Sequence, residues 1–192
     1  DAAAHGLAIT IESLAFLPGS AFAVAAATLA GQFLGAGDER RARESVWLAA
    51  LGCTGLMTVA GIVFLLTADG LAAWFVGGAG RQPEVAALTA TLVRIVAFAQ
   101  PPLALLMVLS GGLRGGGATR PPLLVNFLGL LVIRLPLAML LAWPEIELPG
   151  GILLTGLGLG AAGAWYAMAA DLTVRSVAML IIFKHKSWSR VS

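Results

Sequence analysis

The feature that most constrains this chain is its succession of long apolar runs. Five of them, at roughly residues 6–30, 45–68, 85–110, 121–142 and 158–183, could each cross a hydrocarbon core of about 30 Å as a helix rising about 1.5 Å per residue. Inside hydrocarbon every backbone N–H and C=O must find a partner within the protein, which leaves helices or a closed barrel. The runs are unbroken rather than alternating segments of about ten residues, so helices are expected. Of the 192 residues 59% are hydrophobic and 11% charged, against roughly 25% charged in soluble domains, and the mean hydropathy is +0.92. The expected fold class is an all-α integral membrane protein with five transmembrane helices.

The polar residues collect between the runs, at 31–44, 69–84, 111–120, 143–157 and in a tail at 184–192, and their charge alternates. Arg40, Arg41, Arg43, Arg114, Arg120, Lys184, Lys186 and Arg190 fall on one side, against Arg81 alone on the other. Basic loops stay in the cytoplasm. That places the first set and the C-terminal tail inside, and residues 1–5 and the loops at 69–84 and 143–157 outside, with Trp74 and Trp143 as interfacial anchors. The expected location is the cell (inner or plasma) membrane, crossed five times, with the bilayer as partner. The pI of about 9.2 then reflects topology. A nucleic-acid partner is not expected, because the net charge is only +2 and the basic residues are dispersed.

Cys53, the single cysteine, lies inside an apolar run; it excludes a disulfide framework and a cysteine metal site, and reads as a packing residue. The chain starts at Asp1, with no basic region ahead of the first apolar run, so no signal peptide is visible and the start of the gene product is expected upstream. Pro18 and the Pro101-Pro102 pair stand where kinks are expected.

Two loops carry motifs. The first reads Gly31-Gln32-Phe33-Leu34-Gly35-Ala36-Gly37-Asp38 with Arg40, Arg41 and Ala42 following, and the second reads Gly111-Gly112-Leu113-Arg114-Gly115-Gly116-Gly117-Ala118-Thr119-Arg120-Pro121. Neither is a nucleotide site, since the Gly-Lys-Ser/Thr ending of a phosphate loop and the strand and acid of a dinucleotide fingerprint are missing. In order and spacing the two loops resemble those of the multidrug and toxic compound extrusion (MATE) family. Arg94-Ile95, Gln100-Pro101, Asn126, Arg134-Leu135-Pro136-Leu137 and Gly163-Ala164-Trp165 extend the resemblance along the chain. It implies a twelve-helix transporter of two similar lobes, of which these five helices form most of one. The Arg-x-Pro helix, the Gly-Ala-Trp start of the last helix and the basic tail around Trp188 resemble the C-terminal lobe. The chain then supplies helices eight to twelve, and its absent partners are helix seven and the N-terminal lobe.

Ionisable groups within hydrocarbon are functional candidates by default: Glu12, Arg94, Arg134, Asp171 and Arg175. At about 1.5 Å per residue, Glu12, Arg94 and Arg134 sit at about 9, 14 and 12 Å from the outer helix ends, so an outer-leaflet polar cluster of the three is expected. Glu12 is either a site for a proton or cationic substrate or one half of a structural ion pair with Arg94 or Arg134. Asp171 and Arg175, four apart, can neutralise one another on one helix face; the alternative is that Asp171 contributes to cation coupling. Phe16 could line a drug cavity or face lipid. Asn126 and Gln100 could bind helices together or line a path. His5 is expected to be solvated or interfacial.

No Ser, His and Asp set and no group of metal ligands converges on one segment, so neither an enzyme nor a metal or cofactor is expected. What the resemblance implies is an antiporter exporting small organic, cationic compounds against protons or sodium, by rocking of two lobes. The sodium-coupled branch of the family carries an acid shortly after the helix-ten glutamine, where this chain has Pro101, Pro102 and Leu103, so the coupling ion stays open. Two rival readings are a lipid-linked oligosaccharide flippase of the same superfamily, which needs a more basic cavity, and a non-transporting membrane remnant.

Overall fold

A computed structural model describes residues 2–76, 82–148 and 152–185. Arg81 and the tail residues Lys186, Trp188 and Arg190 lie outside the described residues. The elements in order are α1 (Ala2–Gly35), α2 (Glu39–Phe75), α3 (Pro83–Gly115), α4 (Arg120–Leu128), a π-helical segment (Gly129–Arg134), α5 (Leu135–Ala142), β1 (Glu145–Leu148), β2 (Ile152–Thr155) and α6 (Gly160–His185). Helix α4, the π segment and α5 together make one span, Arg120–Ala142, so among the described residues five spans are long and apolar enough to cross a bilayer.

The helices outrun the apolar stretches. Helix α2 begins at Glu39 and ends at Phe75, taking in the charged turn around Arg40 to Glu44 and the segment after Ala68. Hydropathy marks the part in hydrocarbon, whereas a helix continues until its backbone is capped. Asp38 starts α2 by accepting from the Arg41 N–H at 2.9 Å. Gly37 and Gly117 end α1 and α3 in the same way, each at φ +80°. Asp38 N–H returns to the Phe33 carbonyl and Ala118 N–H to the Leu113 carbonyl, both at 2.8 Å. This glycine-capped ending satisfies carbonyls that the last helical turn leaves open. The two motif loops are thus two copies of one helix-stop device.

Helix α3 is the centre of the bundle. Leu92, Val93, Val96, Val108, Leu109 and Leu113 are all buried, with α1 and α2 packed on one side and α6 on another. Small residues set the spacing: a Cβ on Gly115 would overlap the carbonyl of Ala27 on α1, and one on Gly111 that of Ala23. Lipid tails are as apolar as leucine, so close packing of this kind, rather than a hydrophobic drive, holds helices together in a bilayer. Helices α1 and α3 continue as helix through Pro18 and Pro101-Pro102.

Two features were not expected. The span Arg120–Ala142 widens into π-helix over Gly129–Arg134, where the Leu135 N–H reaches back to the Leu130 carbonyl, and Pro136 just beyond has no N–H to give. Between α5 and α6, in a segment expected to be loop, β1 and β2 pair antiparallel with Ile146 opposite Leu154.

Candidate functional site

The two ends of the bundle differ in charge. The turn between α1 and α2, the turn between α3 and α4 and the end of α6 share one end, which gathers Arg40, Arg41, Arg43, Arg114, Arg120 and Lys184. The Arg43 guanidinium donates to the Lys184 carbonyl at 3.2 Å, tying α2 to α6 there. Arg40 pairs with Glu44 at 2.7 Å and Arg41 with Asp38 at 3.3 Å, both exposed. Trp74 and Trp143 stand exposed toward the other end.

Toward that second end α1 lies across from the π segment, α5 and α6, and between them is a crevice of about 240 Å³. His5, Ile9 and Glu12 line it from α1, Arg134 from the end of the π segment, and Trp165 and Met168 from α6. The spacing of the first three, at i, i+4 and i+7, is that of one helix face. Trp165, itself buried, donates its indole N–H to His5 Nδ1 at 2.9 Å, with the rings edge to face. His5, expected to be solvated or interfacial, is therefore also a strut between the starts of α1 and α6.

Glu12 and Arg134 are both half-buried and both line this crevice. Yet no nitrogen and oxygen of the two come within 4 Å, and neither side chain makes a hydrogen bond among the described residues. They are an acid and a base sharing one crevice without closing on each other.

Arg94 does not join them, and the expected cluster of three is corrected. Its guanidinium pairs with Asp69 on α2 at 2.6 Å. Depth along a helix fixes height but not direction, and Asp69 fell just past the apolar run in what read as a loop. Phe16 is 47% exposed and does not line the crevice. Gln100 is buried on α3, packed toward Gly61 of α2, and its side-chain oxygen has no hydrogen-bond partner among the described residues.

The other embedded charges form a separate network. Asp171 is fully buried and accepts from Arg175 at 2.5 Å, and Arg175 also donates to Asn126 of α4 at 2.9 Å. Among the described residues Asp171 Oδ1 and Arg175 Nε lack hydrogen-bond partners. Arg175 fits because Gly129 has no side chain: a Cβ there would overlap its Cδ. Among the described residues no three His, Cys, Asp or Glu side chains gather where a metal ion could sit.

The profile of the MatE family matches residues 1–140. The chain belongs to the MatE family. A probable multidrug resistance protein NorM of Thermotoga maritima is 28% identical over 191 residues, covering 98% of this chain and 37% of that protein. The multidrug resistance protein NorM of Burkholderia vietnamiensis is 30% identical, covering 99% of this chain and 39% of that protein. Among solved structures, the crystal structure of MATE in complex with MaD3S superposes with a TM-score of 0.78 at 21% identity, over 99% of this chain and 39% of that one. The inward-facing conformation of a multidrug resistance MATE family transporter of the MOP superfamily gives 0.73 at 19% identity, over 99% and 40%. The chain therefore has the MatE fold and spans about two fifths of the length of the relatives it matches, the extent of most of one lobe. It is a multi-pass membrane protein of that family.

Proposed function

We propose that this MatE chain works as the C-terminal lobe of a secondary antiporter that exports organic compounds bearing a positive charge in exchange for protons or sodium. The observation that carries this reading is Glu12: an acid on the crevice face of α1, half-buried and held by no ion pair among the described residues. An unpaired carboxylate at membrane depth is costly to keep, and its use is to take up a cation or a proton. The relatives' name, multidrug resistance protein, supports export. The basic end would face the cytoplasm of the cell membrane that holds the protein. An N-terminal lobe would complete the pathway, the two lobes rocking around it.

Asp171 is a weaker candidate for coupling, since Arg175 already neutralises it. A lipid-linked oligosaccharide flippase would need a basic cavity, but Arg94 is engaged by Asp69 and Arg134 shares its crevice with Glu12. The test is ethidium efflux by the complete polypeptide carrying these residues, in liposomes under an imposed proton or sodium gradient. Gradient-driven efflux that falls in Glu12→Gln is expected; wild-type vesicles that show no efflux under either gradient would overturn the proposal.

A further inference from the structure

Near the basic end, one face of α2 presents Glu44, Trp47, Leu48 and Leu51 around an open trough of about 390 Å³. Leu48 and Leu51 are exposed, and Trp47 is half-buried, its ring edge-on to Phe183 of α6 with centroids 5.8 Å apart. Arg43 stands one turn before Trp47 and two before Leu51, so the three share a stripe at i, i+4 and i+8. Its guanidinium reaches the Lys184 carbonyl at 3.2 Å, which brings Arg43 and Lys184 together at the head of the trough. Helices α2 and α6 both pack on α3 but scarcely on each other, so these contacts bridge a sparse seam.

The charges at this rim do not cancel. Glu44 is engaged by Arg40 at 2.7 Å, and Asp38 by Arg41 at 3.3 Å. Among the described residues Arg43 and Lys184 pair with no carboxylate, and both are exposed. A bare apolar face in a bilayer is wetted by any lipid tail. A trough headed by two cations and a tryptophan asks for a molecule with two matching halves. At about 1.5 Å per residue, Arg43 to Leu51 spans about 12 Å, a headgroup's depth and the start of an acyl chain.

We infer that the trough holds one phospholipid with an anionic headgroup, its phosphate between Arg43 and Lys184 and one acyl chain along Trp47, Leu48 and Leu51. The inference requires the basic end to lie at a membrane surface and nothing more of the proposed function. Arg43 spends one nitrogen on the Lys184 carbonyl and keeps donors for a phosphate, which a guanidinium fork fits well. A zwitterionic headgroup brings its own ammonium to the same rim and loses much of that gain. The bound lipid would also join α2 to α6 where they touch least.

The test uses the complete polypeptide in phosphatidylcholine vesicles with a trace of phosphatidylglycerol carrying a diazirine on one acyl chain. After irradiation, the adduct on the peptide holding Trp47 to Leu51 is quantified by mass spectrometry. It should exceed roughly tenfold the adduct from the same level of diazirine-labelled phosphatidylcholine. Arg43→Gln and Lys184→Gln should each cut it roughly fivefold, the weight of one basic group at an anionic membrane surface. Arg120→Gln, at the same end but on another element, should leave it unchanged. Thermal melts check folding, and if Arg43→Gln is not folded, Lys184→Gln and the comparison of the two lipids decide. Equal capture of both lipids overturns the inference, as does an equal loss in Arg120→Gln, which would make the effect one of surface charge at large. Capture insensitive to Lys184→Gln overturns it too. So does capture that appears only after residues 186–192 are removed, which would give the trough to the chain's own tail, or capture abolished by excess glycerol phosphate, which would make the ligand a soluble phosphate.

Discussion

Arg175 on α6 reaches across to Asn126 on α4, 2.9 Å from guanidinium to amide oxygen, while holding Asp171 of its own helix at 2.5 Å. The rest of the span Arg120–Ala142 is poorly buried, with Leu123, Leu124, Phe127 and Val132 exposed. This polar bridge is one fastening of that span to α6, beside the packing of α5 and the π segment on the same helix. Removing one partner leaves the other charge buried alone, which typically costs 3 to 5 kcal/mol, about the cost expected here. Asp171→Leu and Arg175→Leu should each lower the thermal midpoint followed by tryptophan fluorescence. The double variant, with no charge left to desolvate, should melt higher than either single one. A double variant at least as unstable as the worse single would refute the argument.

Gly37 and Gly117 both stand at φ +80° with nothing within 4 Å of where a Cβ would be. An alanine there meets no neighbour, so its penalty is conformational alone, about 1 kcal/mol. Gly55 of α2 has equally open surroundings but lies in helix, where alanine is favoured by roughly 0.8 to 1 kcal/mol. Gly37→Ala and Gly117→Ala should lower the melting temperature by similar amounts, and Gly55→Ala should hold or raise it. Equal shifts at all three positions would show that the glycine-capped stops are not what the loop motifs preserve.

The spans and the basic end were legible because hydrophobicity and positive charge are read by the bilayer residue by residue. Helix ends were not, because α2 runs past its apolar stretch at both ends, capped by Asp38 at its start and packed through Ala72 and Phe75 at its finish. The π segment Gly129–Arg134 carries no local signal beyond Pro136, and the β1–β2 pairing is only four residues on each strand. At the site, height sufficed to bring Glu12 and Arg134 together but could not exclude Arg94, whose direction depends on Asp69. The Asp171–Arg175 pair was readable from its spacing of four, whereas its Asn126 partner comes from another helix and needed the fold.

The orientation can be tested with few changes, because the only cysteine, Cys53, is fully buried. Ala36, in the turn between α1 and α2, and Gln82, ahead of α3, are both exposed and lie at opposite ends of the bundle. With the basic end in the cytoplasm, a membrane-impermeant maleimide added to intact cells should label Gln82→Cys and leave Ala36→Cys untouched until the membrane is opened. The reverse pattern would invert the topology, and labelling of the parent protein would contradict the burial of Cys53.

Trp165 and His5 offer a way to ask whether the two sides of the crevice are mechanically joined. An indole N–H can only donate, so His5 Nδ1 must be the accepting nitrogen and the ring proton of a neutral His5 sits on Nε2. Trp165→Phe keeps most of the buried aromatic volume and removes the donor, leaving His5, which is exposed, to find water instead. The loss should be about 1 kcal/mol, that of one neutral hydrogen bond, whereas Trp165→Ala should lose about 3 to 5 kcal/mol by opening a cavity. A cycle of Trp165→Phe and His5→Ala should then return a coupling of about 1 kcal/mol in thermal melts, because the two single variants remove the same bond. Strictly additive effects would mean that the starts of α1 and α6 are held by packing alone, and the shape of the crevice around Glu12 would have to be ascribed to Ile9 and Met168 rather than to this strut.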